Sequence, residues 1–423
     1  MAHSSRIFHR QALRRGVGLI AGLLLTLAAA LPAATVLEEQ VQSLVAAHEG
    51  KRVGLLTNPT GVGEDLVQIG DILFGDPNVN LVSFFAPEHG LRGDQQAGAA
   101  VVDYTDPHTG LPVYAVYGSR QAPTASQLDD IDVLVFDIQD VGVRYYTFVW
   151  TMTHAMEACA ANGVEFIVFD RPNPIGLTRV EGGPNTVNYG LTGRLFSGQP
   201  FGMAQRHGLT PGEFATLVNE EWLDPQVELS VITVPGLCRE TDSETLGRPW
   251  IRPSPNIPTT DTAYAYIATC VFEGTNASEG RGTTQPFENI GAPFIDGVLW
   301  AEDLNALGLP GVRFRPTAFI PTFSKHTNQV CSGVFVHVLD REAFDPQRTG
   351  LWMLKTLRNR YPSDFSITGT ADRFFGVVGL SNAINTMTPE EIIAGWQTRL
   401  DAFKAIRANH LLYPVCAQGL QLN

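Results

Sequence analysis

The sequence predicts an α/β protein with two domains: a Rossmann-like N-terminal domain built on a parallel sheet, and a smaller α/β C-terminal domain. Three observations lead to this prediction. The chain has 423 residues, more than a single domain usually holds. Apolar strand-like runs alternate with helical patterns from residue 51 onward, and the alternation becomes less regular after a proline-rich stretch at 249–258. We expect the functional site in the cleft between the two domains.

The first 34 residues have the composition of a secretory signal peptide. Arginines at positions 6, 10, 14 and 15 precede a charge-free apolar run at 16–31, which ends in Pro-Ala-Ala. A retained membrane anchor is the alternative, although the run is short for a spanning helix. We therefore expect 1–34 to be a signal peptide, 35–258 the N-terminal domain and 259–423 the C-terminal domain. Export to the periplasm or the extracellular space follows, without stable membrane insertion after cleavage.

Five apolar runs of strand length form the framework of the N-terminal domain. They lack an alternating polar face, so the strands are expected to be buried on both sides, as in a parallel sheet covered by helices. The predicted strands are 52–57, 80–85, 113–117, 133–137 and 165–170. Helical patterns occupy 65–74 and 146–162, the second stopped by Gly163. One more helix at 211–222 and a strand at 227–234 complete the domain.

The C-terminal domain shows a looser pattern of the same elements. A helix at 262–272 leads into a glycine-rich polar stretch at 273–282. Strands are predicted at 312–314 and 333–339, and helices at 346–361 and 389–408. The change in pattern places the seam between the domains near 257–262.

Charge and cysteine content narrow the classes of partner. Without the four leader arginines the formal charge of −14 becomes −18. Such an acidic chain repels nucleic acid and anionic membranes, so we expect neither as a partner. The five cysteines, at 159, 238, 270, 331 and 416, include no C-x-x-C pair and do not predict a metal site. After export one or two disulfides are possible, with the pairing left open.

Polar residues gather where three predicted strands end. The carboxyl ends of parallel strands meet at one edge of the sheet, where ligands bind in α/β proteins. A purely structural role remains an alternative for each residue. An aspartate can cap a helix, an arginine can neutralise that aspartate, and a tyrosine or histidine can pack in the core. The residues expected at this rim are Glu88, His89 and Arg92 after the second strand, Asp140, Arg144 and Tyr146 after the fourth, and Asp170, Arg171 and Asn173 after the fifth.

Glu88 stands out among them. It follows Pro87 at the end of an apolar strand and is flanked by Gly90 and Gly93, whose backbone freedom allows a ligand to approach closely. A second polar concentration lies at 273–284, a glycine-rich loop at the predicted seam that suits the wall of a cleft. Its alternative is an ordered connecting loop.

Several motifs of cofactor-dependent and hydrolytic enzymes are absent from the sequence. No G-x-G-x-x-G follows the first strand, and there is no Walker A lysine loop, G-x-S-x-G elbow or H-E-x-x-H helix. We therefore expect no nucleotide cofactor and no catalytic metal. Carboxylates, a histidine, arginines and aromatic residues remain, and these suit glycoside hydrolysis, which uses a protonated carboxyl near the leaving oxygen and a second group at the anomeric carbon.

At these same residues the chain resembles the NamZ family, exo-β-N-acetylmuramidases of glycoside hydrolase family 171, formerly a domain of unknown function. The resemblance covers nearly all of the mature chain, in order. It implies an enzyme that removes terminal non-reducing N-acetylmuramic acid from peptidoglycan fragments during cell-wall turnover and recycling, with no metal or organic cofactor. The matching stretches are 54–61, 85–93, 137–146, 170–174, 272–284, 321–331 and 403–413.

The resemblance points to Glu88 as the leading catalytic residue. We expect Glu88 to act as general acid with His89 orienting it, and Asp140 or Glu279 to act as nucleophile, base or electrostatic stabiliser. One or more of Arg92, Arg144, Arg171 and Arg281 is expected to bind the lactyl carboxylate of muramic acid. The full set of expected substrate-binding residues is Asn58, Arg92, Arg144, Tyr146, Asp170, Arg171, Asn173, Asn276, Arg281 and Thr283.

Two other functions fit the same inventory. A periplasmic carbohydrate-binding protein without catalysis also has two α/β lobes around a cleft, although its chain usually crosses between the lobes two or three times. A hydrolase of another cell-wall bond, such as an amidase or a different hexosaminidase, would use similar residues. Incubation with chromogenic glycosides of muramic acid and of N-acetylglucosamine tests these alternatives against the muramidase.

Overall fold

The computed structural model describes residues 35–246 and 248–416 of the protein. The predicted signal peptide, residues 1–34, lies outside them. Among the helices of these two ranges, none is both long enough and apolar enough to cross a membrane.

A seven-stranded sheet forms the centre of the N-terminal half, in the order β3-β4-β2-β1-β5-β6-β7 given below. Its neighbours pair in parallel except for the short edge strand β3, which runs antiparallel to β4. The central strands are buried on both faces, which confirms the predicted parallel α/β class. The strands are Arg52–Thr57 (β1), Asn80–Ala86 (β2), Tyr104–Thr105 (β3), Pro112–Ala115 (β4), Val133–Asp137 (β5), Glu165–Phe169 (β6) and Leu229–Ile232 (β7).

The strand order opens a crevice at one edge of the sheet. From β1 the chain moves to β2 on one side, and it later returns to β5 on the other side of β1. The loops after β1 and β5 therefore leave in opposite directions, which is the point where α/β proteins bind ligands. The helices of this half are Val36–His48 (α1), Ile69–Gly75 (α2), Ala125–Leu128 (α3), Phe148–Asn162 (α4) and Pro211–Glu221 (α5).

Two of these helices begin later than their hydrophobic period suggests. Helix α2 starts at Ile69 rather than 65 because Leu66 has a left-handed backbone, with φ of 67°. Helix α4 starts at Phe148 rather than 146. Before it, the backbone N–H of Arg144 donates to the carbonyl of Gln205 at 2.7 Å, which holds the chain away from helical geometry. As predicted, α4 ends at Gly163, whose φ is 68°.

The C-terminal half contains a three-stranded antiparallel sheet in the order β8-β10-β9, packed on helices. The predicted helix at 389–408 is two helices, because Trp396 interrupts it and stacks on Phe375 with ring centroids 6.1 Å apart. The elements are Thr260–Thr269 (α6), Asn289–Ala292 (β8), Gly297–Ala306 (α7), Val312–Phe319 (β9), Cys331–Val338 (β10), Pro346–Arg360 (α8), Asp372–Phe375 (α9), Leu380–Thr386 (α10), Pro389–Ala394 (α11) and Gln397–Arg407 (α12).

One hydrophobic cluster runs through both halves. Tyr145 of the N-terminal half meets Tyr266 and Phe374 of the C-terminal half edge to face, with ring centroids 5.4 and 5.3 Å apart. A disulfide joins Cys238 to Cys416 across 178 residues of sequence. The remaining cysteines, 159, 270 and 331, are buried thiols.

Candidate active site

A cavity of about 660 Å³ lies at the carboxyl edge of the sheet and is lined by both halves of the chain. The N-terminal half contributes Glu88 after β2, Tyr117 after β4 and the segment before α4. The C-terminal half contributes Glu273 and Arg281 from the glycine-rich loop, together with Phe323 and Arg373. Charged groups of both signs and several aromatic rings therefore face one cavity, which can bind a ligand that has both polar groups and apolar faces.

A tight turn presents Glu88 to this cavity. The N–H of Gly90 donates to the carbonyl of Pro87 at 3.0 Å, so Glu88 and His89 occupy the two central positions. His89 has a φ of 75°, which is a left-handed conformation that favours glycine. The turn is thus strained at a histidine beside the carboxylate of Glu88, and such strain concentrates at functional sites.

Three donors hold the carboxylate of Glu88, which is 9% exposed. Its Oε1 accepts from the N–H of Gly98 and from the hydroxyl of Tyr117, each at 2.9 Å. Its Oε2 accepts from the hydroxyl of Thr147 at 2.8 Å. These bonds fix the direction of the carboxylate while leaving it on the cavity wall.

His89 lines the same cavity but forms no hydrogen bond with the carboxylate of Glu88. Its Nδ1 lies 3.0 Å from the carbonyl of Gln95, so Nδ1 carries the proton and donates to it. This bond braces the loop that supplies the Gly98 donor. Desolvation lowers the pKa of His89, so the ring is neutral at pH 7. The direct orienting role predicted for His89 belongs instead to Gly98, Tyr117 and Thr147.

Of the acidic residues in the glycine-rich loop, Glu273 faces the cavity and Glu279 lies beneath it. Glu279 is 1% exposed and sits 2.7 Å from the ammonium of Lys325 and 3.4 Å from Nε of Arg281. Arg281 in turn donates to Oε1 of Glu273 at 2.7 Å. The two carboxylates therefore share one guanidinium, and Glu273 is the one that a ligand can meet.

Asp140 is enclosed by protein. It is 3% exposed, and its Oδ1 accepts from the N–H of Gly142 at 2.7 Å. Desolvation raises the pKa of Asp140 to about 7. It lies outside the residues that line the cavity, so the structure gives it the turn-forming role that the sequence left open.

Only one of the four arginines predicted to bind the lactyl carboxylate lines this cavity, namely Arg281. Arg92 pairs with Asp106 and Asp71, each 3.2 Å away, at a different surface. Arg144 is fully buried, donates to the carbonyl of Phe374 at 3.2 Å, and has a pKa lowered to about 10 by desolvation.

The fourth of them, Arg171, is neutralised by Asp137 at the end of β5, with 2.9 Å between its Nη2 and Oδ2 of the aspartate. The guanidinium opens onto another cavity, described below.

The other predicted residues after β1 and β6 form the frame under the site. Asp170 accepts from the N–H of Gly212 at the start of α5 and from the hydroxyls of Thr210 and Tyr413 at 2.7–2.8 Å. The amide of Asn173 packs so closely on Gly142 that a Cβ there would lie 2.2 Å from it.

Asn58 accepts from the N–H of Thr60 at 2.9 Å and thereby closes the turn after β1. Asp170 and Asn173 thus use their polar atoms within the protein, whereas Nδ2 of Asn58 is buried without a hydrogen-bond partner among the described residues.

Two predicted residues of the C-terminal half brace the glycine-rich loop itself. Asn276 donates to the carbonyl of Asp364 at 2.7 Å and accepts from the N–H of Ser366 at 2.8 Å. Thr283 donates to the carbonyl of Gly280 at 2.6 Å. Tyr146 does line the cavity, as predicted for a substrate contact.

Sequence reasoning did not select several residues of the cavity wall, among them Tyr117, Thr147, Glu273 and Arg373. Three of these stood inside segments already singled out, since Tyr117 ends the predicted third strand, Thr147 is the second residue of the predicted helix and Glu273 opens the glycine-rich loop. Arg373 stands in a segment with no motif, and only the folded chain brings it to the site.

Comparison with known proteins matches both halves of the chain to one family. Residues 53–261 match the description "Exo-beta-N-acetylmuramidase NamZ, N-terminal", and residues 264–413 match "Exo-beta-N-acetylmuramidase NamZ, C-terminal". The chain belongs to the NamZ family. The resemblance inferred from the motifs is thereby confirmed.

Relatives within and around the NamZ family support this assignment. The peptidoglycan beta-N-acetylmuramidase NamZ of Bacillus subtilis (strain 168) is 44% identical over 368 residues, which is 86% of this chain and 87% of the relative. Two crystal structures of DUF1343 family proteins from Bacteroides fragilis NCTC 9343 are also similar. One is 36% identical, has a TM-score of 0.80 and covers 90% of this chain and 98% of its own. The other is 27% identical, with a TM-score of 0.70 and coverage of 90% and 99%.

Proposed function

We propose that this NamZ-family protein is an exo-acting glycoside hydrolase that releases terminal non-reducing N-acetylmuramic acid from peptidoglycan fragments during cell-wall turnover. The observation that carries the proposal is the fixed carboxylate of Glu88 on the wall of a cavity that also contains Glu273 and Arg281. A curated relative 44% identical to this chain bears the name of that activity.

Glu88 is suited to give a proton to the leaving oxygen. Its Oε1 is tied to the N–H of Gly98, a donor that cannot reverse. Its Oε2 faces the hydroxyl of Thr147, which can accept a hydrogen bond when Oε2 is protonated and donate one when it is not. The proton that leaves for the glycosidic oxygen is therefore held on Oε2. In a later step the same oxygen takes a proton from the water molecule whose hydroxyl group bonds to the anomeric carbon.

Glu273 supplies the second carboxylate. Hydrolysis passes through an oxocarbenium-like transition state, whose positive charge a nearby carboxylate stabilises. The ion pair with Arg281 at 2.7 Å holds Glu273 in place across the cavity wall. Glu273 takes the role first assigned to Glu279 or Asp140, because it is the acidic side chain of the C-terminal half that lines the cavity.

Arg373 is our choice for the residue that binds the lactyl carboxylate. Arg281 is occupied by Glu273 and Glu279, whereas Arg373 lines the cavity and its Nε has no hydrogen-bond partner among the described residues. A planar guanidinium suits a carboxylate because two N–H groups can donate to its two oxygens.

Product analysis on defined oligosaccharides tests the function. We expect purified protein to release N-acetylmuramic acid from chains that carry it at the non-reducing end, and to leave chains that end in N-acetylglucosamine intact. Binding of both chains without any product would favour the carbohydrate-binding alternative. Release of peptide or of N-acetylglucosamine would identify a hydrolase of another bond.

Export of the mature chain is part of this proposal. The disulfide between Cys238 and Cys416 fits an oxidising compartment, and the leader-like residues 1–34 fit a secretory route. Amino-terminal sequencing of the protein from its native cells should find a start close to residue 35. An intact Met1 in a cytoplasmic fraction would contradict export.

A further inference from the structure

A second cavity, of about 230 Å³, lies where the strand order of the sheet reverses. The loops after β1, β5 and β6 contribute Thr60, Gln139 and Arg171 to its lining. The proline-rich stretch that follows β7 covers it with Arg248 and Trp250. Ligands of open α/β sheets bind at such a reversal point, and the catalytic machinery described above does not use it. We call it the switch-point cavity.

Two guanidinium groups meet in the switch-point cavity. Arg171 is paired with Asp137, and Arg248 lies 2.8 Å from Glu64. Desolvation and the charge of Arg171 lower the pKa of Arg248, whereas the carboxylates of Glu64 and Asp137 raise it. Each guanidinium thus keeps a carboxylate partner, and a further anion would be bound through the nitrogens that Asp137 and Glu64 do not use.

The remaining lining is compatible with such a ligand. Glu244 also lines the switch-point cavity, but its carboxylate is 2.9 Å from Arg341 and is neutralised there. Trp250 donates its indole N–H to the carbonyl of Ile257 at 3.2 Å. Its polar atom is thus satisfied within the protein, and its ring remains as an apolar face for a sugar or an aliphatic segment.

A third cavity, of about 130 Å³, lies between the switch-point cavity and the active-site cavity and shares lining residues with each. It shares His89 and Ser254 with the active site and Ile251 with the switch-point cavity. Residues 248–255 form one wall along all three. Glu88 follows β2, and the switch-point cavity begins between β1 and β5, so about one and a half strand spacings, roughly 7 Å, separate them along the edge of the sheet.

We propose that the switch-point cavity is a distal subsite that binds a carboxylate-bearing group of the leaving fragment while the terminal sugar occupies the active site. The inference rests on the proposed glycosidase function and names where the rest of its substrate lies. The carboxylate belongs either to the lactyl group of an inner muramic acid or to a stem peptide attached to it. Arg248 and Arg171 bind the carboxylate, and Trp250 packs on the adjoining sugar or peptide.

The test compares a short and a long substrate in one pair of variants. Arg248→Met removes the cation, and Glu64→Gln, the matched control, removes the ion pair but keeps the guanidinium. The short substrate is an aryl glycoside of N-acetylmuramic acid, whose leaving group has no carboxylate. The long substrate is a trisaccharide with N-acetylmuramic acid at both ends, with or without a peptide on the inner residue.

We expect Arg248→Met to lower kcat/KM on a long substrate by at least about tenfold, and to change it on the aryl glycoside by less than about twofold. Glu64→Gln should keep the wild-type ratio between the two. If kcat/KM falls only on the trisaccharide without a peptide, the bound group is the lactyl carboxylate. If kcat/KM falls only on the trisaccharide that carries a peptide, the bound group belongs to the stem peptide.

An equal fall in kcat/KM on the aryl glycoside and on the long substrates would contradict the proposed subsite. So would an unchanged kcat/KM on both long substrates. Failure of the wild-type protein to cleave the aryl glycoside would instead refute the proposed function.

Discussion

At the residue scale, the position of Glu88 was predictable and its surroundings were not. Pro87 before it and Gly90 after it predict a turn at the end of a strand, and this signal is local in the sequence. The three donors that fix its carboxylate stand 10, 29 and 59 residues away in sequence. Their approach depends on which strands are neighbours in the sheet, and a single sequence does not reveal that order.

The arginines show the same limit. Three of the four candidates followed predicted strand ends, and the fourth, Arg281, stood in the glycine-rich loop. The three strand-end arginines are instead paired with an aspartate or buried within the protein. Arg373, in the short helix α9, reaches the cavity from the far end of the chain. The sequence pattern predicts which type of residue a site needs, but only the folded structure shows which arginine lies in the cavity.

The proposed contact of Arg373 with the lactyl carboxylate can be measured directly. Arg373→Met should raise KM for an aryl glycoside of N-acetylmuramic acid by about tenfold or more, because a charge-assisted hydrogen bond is lost, while kcat falls less. Arg373→Lys keeps the charge but not the planar guanidinium, so its KM should lie between those of the wild type and the methionine variant. An unchanged KM in the methionine variant would assign the carboxylate to another residue.

At the scale of elements, most strands and helices followed from hydrophobic period, and the irregular segments did not. The sequence predicted that the glycine-rich loop is polar, but it did not predict which residue holds the loop in its conformation. Lys325 donates to the carbonyls of Phe272, Thr275 and Ala277 at 2.6–3.0 Å and lies 2.7 Å from Glu279. Its ammonium thus organises the loop from within, and it is a positioning residue for the cavity wall.

This role predicts a specific effect of Lys325→Met. The loop that holds Glu273 and Arg281 should lose its shape, and kcat should fall by at least about tenfold because a displaced catalytic group acts poorly. Lys355→Met is the matched control, since Lys355 donates to the carbonyls of Ile384 and Met387 at 2.6 and 3.1 Å at the end of α10. Both variants should unfold at lower temperature, and only Lys325→Met should lose activity at 25 °C. Equal activity in the two would refute the positioning role.

At the scale of the whole molecule, the α/β class was predictable because continuous apolar strands need cover on both faces. The sharing of one hydrophobic cluster by both halves was not, because the residues that join them, such as Tyr145 and Tyr266, have no pairing signal in sequence. The pairing of Cys238 with Cys416 was open for the same reason.

The whole fold also sets a dependence of stability on pH. Burial holds His207 neutral and lowers its pKa to about 3, against 6.5 when unfolded. Its contribution is fully present above pH 6.5. It is lost as the pH falls toward 3, because the unfolded chain takes up a proton that the folded chain refuses. Asp140 and Asp170, with pKa values raised to about 7 and 6 by desolvation, act in the opposite direction.

A substitution isolates the histidine. In His207→Asn the amide oxygen can replace Nδ1 as acceptor for the N–H of Leu209, which is 3.2 Å away. Between pH 7 and 4.5 the free energy of unfolding should fall by about 2–3 kcal/mol less in the variant than in the wild type. Denaturant titrations at the two pH values give this difference. Identical pH dependence in both proteins would mean that His207 is not held neutral.

The central claim is that Glu88 performs the chemistry, and the turnover number of Glu88→Gln on an aryl glycoside of N-acetylmuramic acid tests it most directly. Glutamine keeps the size and can still accept from Gly98, but it cannot give up a proton. We expect kcat to fall by about 10²–10⁴-fold with the fold intact, whereas the surface control Glu49→Gln keeps wild-type turnover. Full activity in Glu88→Gln would contradict the account.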